Sequence, residues 1–180
     1  MPNTSGSEHS PDEDSRNDFE AIRRAAEEAS LSMRDIVWLI QREPIGLKDL
    51  VTRMRQSLRT ILHQPDLSLE VEPAEFLDRP LGLLFRRHVF LAFKEVLNNV
   101  RKHARTRQAT VKVEIKTDRL RFTVRDEGGG FAPEEAGAVG HGLSNLKRRA
   151  SRVSGCVRID SAPGKGTEVT FEAPFSKSHS

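Results

Sequence analysis

The apolar positions change period along the chain, and each period predicts an element. From 18 to 43, Phe19, Ile22, Ala26, Ala29, Met33, Ile36 and Ile40 follow one another at alternating spacings of three and four. That is a heptad seam on a single helix. Asp18 is placed to cap its start, and Pro44 stops it. The alanines suit close packing in a bundle, and a helix docked on its own domain would show the same pattern. Leu47, Leu50, Val51, Met54, Leu58, Ile61 and Leu62 put one broad apolar face on a second helix, ended by Gln64-Pro65-Asp66. Leu67, Leu69 and Val71 alternate as in a strand. A third helix, 81–104, carries Leu84, Phe85, Val89, Leu91, Ala92, Val96, Leu97 and Val100 on most of its sides, which predicts burial.

The second half reads mainly as strands. Val111, Val113 and Ile115, then Leu120, Phe122 and Val124, alternate on either side of a Thr117-Asp118-Arg119 turn, which predicts a hairpin. A glycine-rich loop occupies 128–142, a helix 143–153, and two strands 156–161 and 167–173 flank the turn Ala162 to Gly166. Helices grouped with an antiparallel or mixed sheet predict an α+β fold, a two-layer sandwich in which the helices cover one sheet face. Residues 1–17, acidic and rich in Ser and Pro, are expected to be a disordered tail, and 176–180 a frayed one.

Composition narrows the class. No run approaches the roughly 18 consecutive apolar residues of a membrane span, and the first residues lack a signal-peptide pattern, so a cytoplasmic location is expected. The single cysteine, Cys156, excludes an internal disulfide and a cysteine zinc site; a small buried residue is expected there. Net charge is +3 although the first 18 residues are acidic, so the remainder is the more basic part. The densest basic stretch, Arg101 to Arg107, suits a phosphorylated ligand. The chain has no tyrosine, and the scarcity of aromatics in that stretch counts against a nucleic-acid stacking surface.

Three features could carry chemistry. Glu95 and Asn99 are four residues apart on one helix face, with Lys102 and His103 a turn later. A carboxylate, an amide and a cation there could hold a hard cation and a phosphate, or they could form the exposed stripe of an amphipathic helix. Asp126 closes a strand and precedes Gly128, Gly129 and Gly130; it could accept from an exocyclic amine while the backbone approaches a flat ligand, or the run could be a plain turn. Gly140-His141-Gly142-Leu143 opens a helix, whose free N–H groups favour an anion.

In that order these elements resemble the GHKL (Bergerat-fold) ATPases, the superfamily of gyrase B, MutL, the heat-shock ninety chaperones and sensor histidine kinases. Glu95, Asn99, Lys102 and His103 resemble its N box. Asp126, Gly128 and Gly130 resemble the first glycine box, and Gly140, Gly142 and Leu143 the second. Gly164, Gly166 and Thr167 resemble its closing Gly-x-Gly-Thr element. The resemblance covers about 45–175, and 18–44 is similar to the second helix of a histidine-kinase dimerisation domain. The short stretch between the glycine boxes and the run Leu143, Leu146, Arg149 are similar to kinases that partner NarL/LuxR-type response regulators.

The resemblance implies a histidine kinase using ATP and Mg²⁺. Asn99 would hold the metal, and Lys102 and His103 would approach the phosphates. Asp126 would bind the adenine amino group, and Gly128 and Gly130 would let the base pack on the backbone. Residues 131–141 would form a lid, with Gly140, His141, Gly142 and Leu143 about the phosphates and Thr167 supporting the adenine end. Glu95 would polarise the acceptor nucleophile. None of the six histidines precedes an acidic residue, unlike the family's phosphoacceptor, so the acceptor is expected on another segment of a full-length protein or on another chain. A homodimer could form through 18–43. Alternatives are an anti-sigma-factor-type serine kinase and a non-catalytic dimeric interaction module.

Overall fold

The computed structural model describes residues 33, 35, 37–40, 45–63, 67–104, 106, 108–132 and 142–175. The chain divides into two units, Met1–Gln41 and Arg42–Ser180. In the first, the described residues are helical, and Met33 and Ile40 of the seam are exposed at 67% and 62%, as is Val37. Residues 1–32, Pro44, the turn 64–66 and 176–180 lie outside the described residues.

The second unit starts with α1, Leu47–Leu62. The Asp49 carboxylate accepts from the Gly46 N–H at 2.9 Å, which gives a free donor at the helix start a partner. The helix ends where His63 turns left-handed, its N–H donating to the Arg59 carbonyl. The expected face is the buried one: Leu47, Leu50, Val51, Met54 and Leu58 are inside. Strand β1, Leu69–Glu72, leads to α2, Leu83–Asn99, which continues as one π-helical turn, Val100–Ala104. Then come β2, Ala109–Ile115; β3, Arg119–Asp126; α3, Gly142–Ser151; β4, Cys156–Ser161; and β5, Thr167–Pro174.

The five strands form one mixed sheet in the order β1-β2-β3-β5-β4, with β1 parallel to β2 and the other pairs antiparallel. The α2 crossover permits the parallel pair, short turns join β2 to β3 and β4 to β5, and the longer connection through α3 and β4 brings β5 back beside β3. Inward side chains alternate along β3, where Leu120, Phe122, Val124 and Asp126 are buried. Phe122 is the hub: Phe93 of α2 meets it edge-on at 5.4 Å, and Phe171 of β5 stacks on it at 5.0 Å. The result is the expected α+β sandwich, with α1, α2 and α3 in the helical layer.

Two expectations are corrected. Cys156 is exposed, because on β4 it is in phase with the outward Arg158 and Asp160 while Val157 and Ile159 point inward. The third predicted helix is not buried throughout: Leu83 and Leu84 in its first turn are exposed, Leu84 at 63%. That turn follows Gly82, ahead of the first buried side chain, Phe85.

The other sheet face is charged. Glu172 accepts from Arg121 and Arg119 at 2.8 and 2.7 Å, and these hydrogen bonds, Arg121 first, hold its carboxyl below the ordinary value. A depressed folded-state pKa gives stability that is full above the unfolded value and is lost as pH falls through the folded one. Glu172→Gln is therefore expected to cost up to about 1 kcal/mol at pH 7, with the gap closing on acidification below 4.5. Urea melts at the two pH values check this.

Candidate functional site

Glu95 and Asn99 lie half-buried near the end of α2. A Cβ added to Gly142, the first residue of α3, would lie 3.1 Å from Glu95 Oε1 and 3.6 Å from both amide atoms of Asn99. The start of α3 thus abuts the carboxylate and amide, so the free N–H groups of its first turn are beside them. Lys102 and His103 are exposed on the π-helical turn that follows. Single π-turns widen a helix, frequently at functional sites.

That turn also holds the glycine run. Gly129 N donates to the Ala104 carbonyl at 3.3 Å. A Cβ on Gly128 would strike the same carbonyl oxygen at 2.1 Å. Asp126, 5% exposed at the end of β3, accepts from Gly128 N at 2.9 Å. On the other side, Gly164 N donates to the Gly129 carbonyl at 2.6 Å. Gly130 is left-handed, φ +58°, and a Cβ there would lie 2.0 Å from the Ala162 carbonyl oxygen. Gly166, φ +72°, would strike the Asp126 carbonyl oxygen at 2.0 Å. Gly128 and Gly130 are therefore required by chain packing itself, whatever further closeness they allow a ligand.

Thr167 pairs with Asp126 across β3 and β5 and with Ser161 across β4 and β5. Directly opposed residues project to the same side of a sheet, so all three side chains share the helix-covered face. Ser161 is the residue that the sequence reading missed. Its Oγ accepts from Phe131 N at 3.0 Å, donates to the Gly166 carbonyl at 2.9 Å and meets Thr167 Oγ1 at 3.0 Å. The signal was a polar residue in phase with the inward Val157 and Ile159.

Three predicted features therefore form two adjoining clusters: Glu95, Asn99, Gly142 and the π-turn cations in one, Asp126, the glycine run and Thr167 in the other, with Ala104 as the link. Leu143 is half-buried in the first turn of α3. Gly140, His141 and most of the predicted lid lie outside the described residues. Farther along the helix pair, burial foremost, then the charges of Arg149, Arg87 and Arg152, push the His88 imidazole below its usual range. A separate concavity of about 520 Å³, beside α1, is lined by Lys48, Thr52, Arg55, Glu75 and Phe76 among others. It contains none of the predicted site residues.

Residues 86–177 match the family model of the histidine kinase-, DNA gyrase B- and HSP90-like ATPases. The sensor histidine kinase LiaS of Bacillus subtilis is 30% identical over 160 residues, 86% of this chain and 42% of LiaS. The sensor protein VraS of Staphylococcus aureus is 27% identical over 161 residues, 88% of this chain and 45% of VraS. The chain thus spans less than half the length of these relatives. Among solved structures, the Acinetobacter baumannii histidine kinase AdeS superposes with a TM-score of 0.56 at 17% identity, covering 88% of this chain and 84% of that one. The histidine kinase domain from the Erythrobacter litoralis EL346 blue-light activated kinase gives 0.54 at 21%, covering 72% and 60%. The chain belongs to the histidine kinase-, DNA gyrase B- and HSP90-like ATPase family, as an ATP-binding catalytic domain of the sensor-histidine-kinase kind.

Proposed function

We propose that the chain binds Mg-ATP across the two adjoining clusters. It then directs the γ-phosphoryl group to a histidine on another segment of the full-length protein or on another chain. The phosphoryl group passes from there to a response regulator of the NarL/LuxR type, in the cytoplasm, where ATP is available. The observation that carries this is the close approach of Gly142 to Glu95 and Asn99, which sets the N box beside the helix start in the second glycine box.

The residues fit their tasks. Asn99 offers an amide oxygen beside a carboxylate, which suits a hard cation, and the helix start next to them suits the phosphates. Among the described residues no group of three or more His, Cys, Asp and Glu could hold a metal. Mg²⁺ commonly needs only one or two protein oxygens, since phosphates and water complete its shell. Bound there it would supply neutralisation of phosphate charge. Lys102 and His103 add donors for the phosphates, and the first turn of α3 adds backbone N–H groups. Glu95 would orient and polarise the incoming nucleophile. Asp126 and Thr167 hold the base, with the glycine run beneath it. The exposed Met33 and Ile40 support a homodimer through 18–43.

Asn99→Ala is expected to lower Mg-ATP affinity on the order of tenfold or more. It should also make the residual affinity insensitive to chelation of the metal. Calorimetry with Mg²⁺ and with EDTA, on both proteins, reads this directly. Wild-type binding that is equally tight in EDTA would contradict the role of Asn99.

A further inference from the structure

A hydroxyl has one hydrogen to give and two lone pairs to receive. The hydrogen of Ser161 is committed, because the Gly166 carbonyl, 2.9 Å from its Oγ, can only accept. One lone pair takes the Phe131 N–H at 3.0 Å. The remaining contact, Thr167 Oγ1 at 3.0 Å, needs a hydrogen between the two oxygens, and Ser161 has none left. Thr167 must therefore be the donor. Its hydroxyl hydrogen points at Ser161, and only lone pairs remain for the space beside Asp126.

Asp126 is the cross-strand neighbour of Thr167, and its Oδ1 takes the Gly128 N–H. Its Oδ2 has no hydrogen bond among the described residues. An ionised carboxylate accepts only, so both groups next to this space are acceptors. We infer that Ser161 is a specificity-determining residue. By consuming the Thr167 hydrogen it makes the base site an all-acceptor pair, which accommodates an amino group and rejects a carbonyl oxygen in the same place. A free threonine hydroxyl would rotate and donate to a carbonyl as readily as it accepts from an amine. Sites that leave buried polar groups unpaired against the wrong ligand discriminate strongly. The inference rests on the nucleotide reading above and adds the residue that sets its selectivity.

Mg-ATP and Mg-ITP differ along one edge of the base, where the amino group becomes a carbonyl and the neighbouring ring nitrogen gains a hydrogen, so they report how that edge is read. Calorimetry on the full chain is expected to show wild type favouring Mg-ATP by roughly thirtyfold or more. Ser161→Ala should lower that ratio by about tenfold, with the gain mainly in Mg-ITP, and Ser161→Thr, which keeps the hydroxyl, should restore it. A purely structural role would weaken both nucleotides equally and leave the ratio unchanged, which would overturn the inference. Equal wild-type affinity for both nucleotides would overturn it too, while leaving the nucleotide site intact. Absence of any Mg-ATP binding would remove the underlying reading itself. Should Ser161→Ala fail to fold, Thr167→Val serves: loss of the acceptor must lower the same ratio, and an unchanged ratio contradicts the inference.

Discussion

Asp126→Ala is expected to lower Mg-ATP affinity by about 2–3 kcal/mol, roughly thirty- to a hundred-and-fifty-fold, with the fold retained. The carboxylate is 5% exposed, ends β3 and carries a single described hydrogen bond, from Gly128 N. A buried acidic group with one oxygen unspent is expensive to keep unless a ligand supplies the missing donor. Asp126→Asn separates the two parts of its role. The amide oxygen can still take the Gly128 N–H, but the amide nitrogen presents a donor where the ligand also donates. Its affinity should therefore fall nearly as far as that of the alanine variant while its thermal stability stays closer to wild type. Isothermal calorimetry and thermal circular dichroism on the three proteins check both halves.

Gly166→Ala is expected to cost about 3 kcal/mol or more of stability. A left-handed conformation is strained for any residue with a Cβ, and here that atom would also lie 2.0 Å from the Asp126 carbonyl oxygen. The obstacle is backbone, so no rotamer change relieves it, and the start of β5 must move away from the end of β3. Gly164 is the matched control. Its φ is +76°, yet a Cβ there meets nothing within 4 Å. Gly164→Ala should therefore pay only the conformational part, about 1–2 kcal/mol. Equal losses in the two variants by urea denaturation would contradict the close approach at Gly166. Because the displaced strands carry Asp126 and Thr167, Gly166→Ala should also weaken Mg-ATP binding, and Gly164→Ala should not.

The periodicities made most of the fold legible. The inward alternation of Leu120, Phe122 and Val124 and the broad face of Leu47 to Leu58 are where the core is found. The candidate site was legible as residue types in order, because Glu95 with Asn99 and Asp126 with its glycines are short-range patterns. What joins them was not. The Ala104 carbonyl against Gly128, the Ala162 carbonyl against Gly130 and the Asp126 carbonyl against Gly166 are contacts between segments distant in sequence, so the glycines read as freedom for a ligand rather than room for another stretch of backbone. The π-turn after Asn99 leaves no mark in an apolar pattern that runs on to Val100 and Ala104. Cys156 was misjudged and Ser161 missed for one reason. Phase along β4 decides which side chain faces inward, and it puts the apolar-looking cysteine outside and the polar serine inside.

The central claim is that the two adjoining clusters form one nucleotide site. A titration of the isotopically labelled chain with Mg-ATP, followed through its backbone amide resonances, tests it most directly. The account predicts saturable shifts concentrated at Glu95 to Ala104, Asp126 to Phe131, Gly142 to Asn145 and Ser161 to Thr167. The concavity lined by Lys48, Thr52 and Arg55 should stay silent. Shifts gathered at that concavity, or no saturable shift at all in the folded chain, would contradict it.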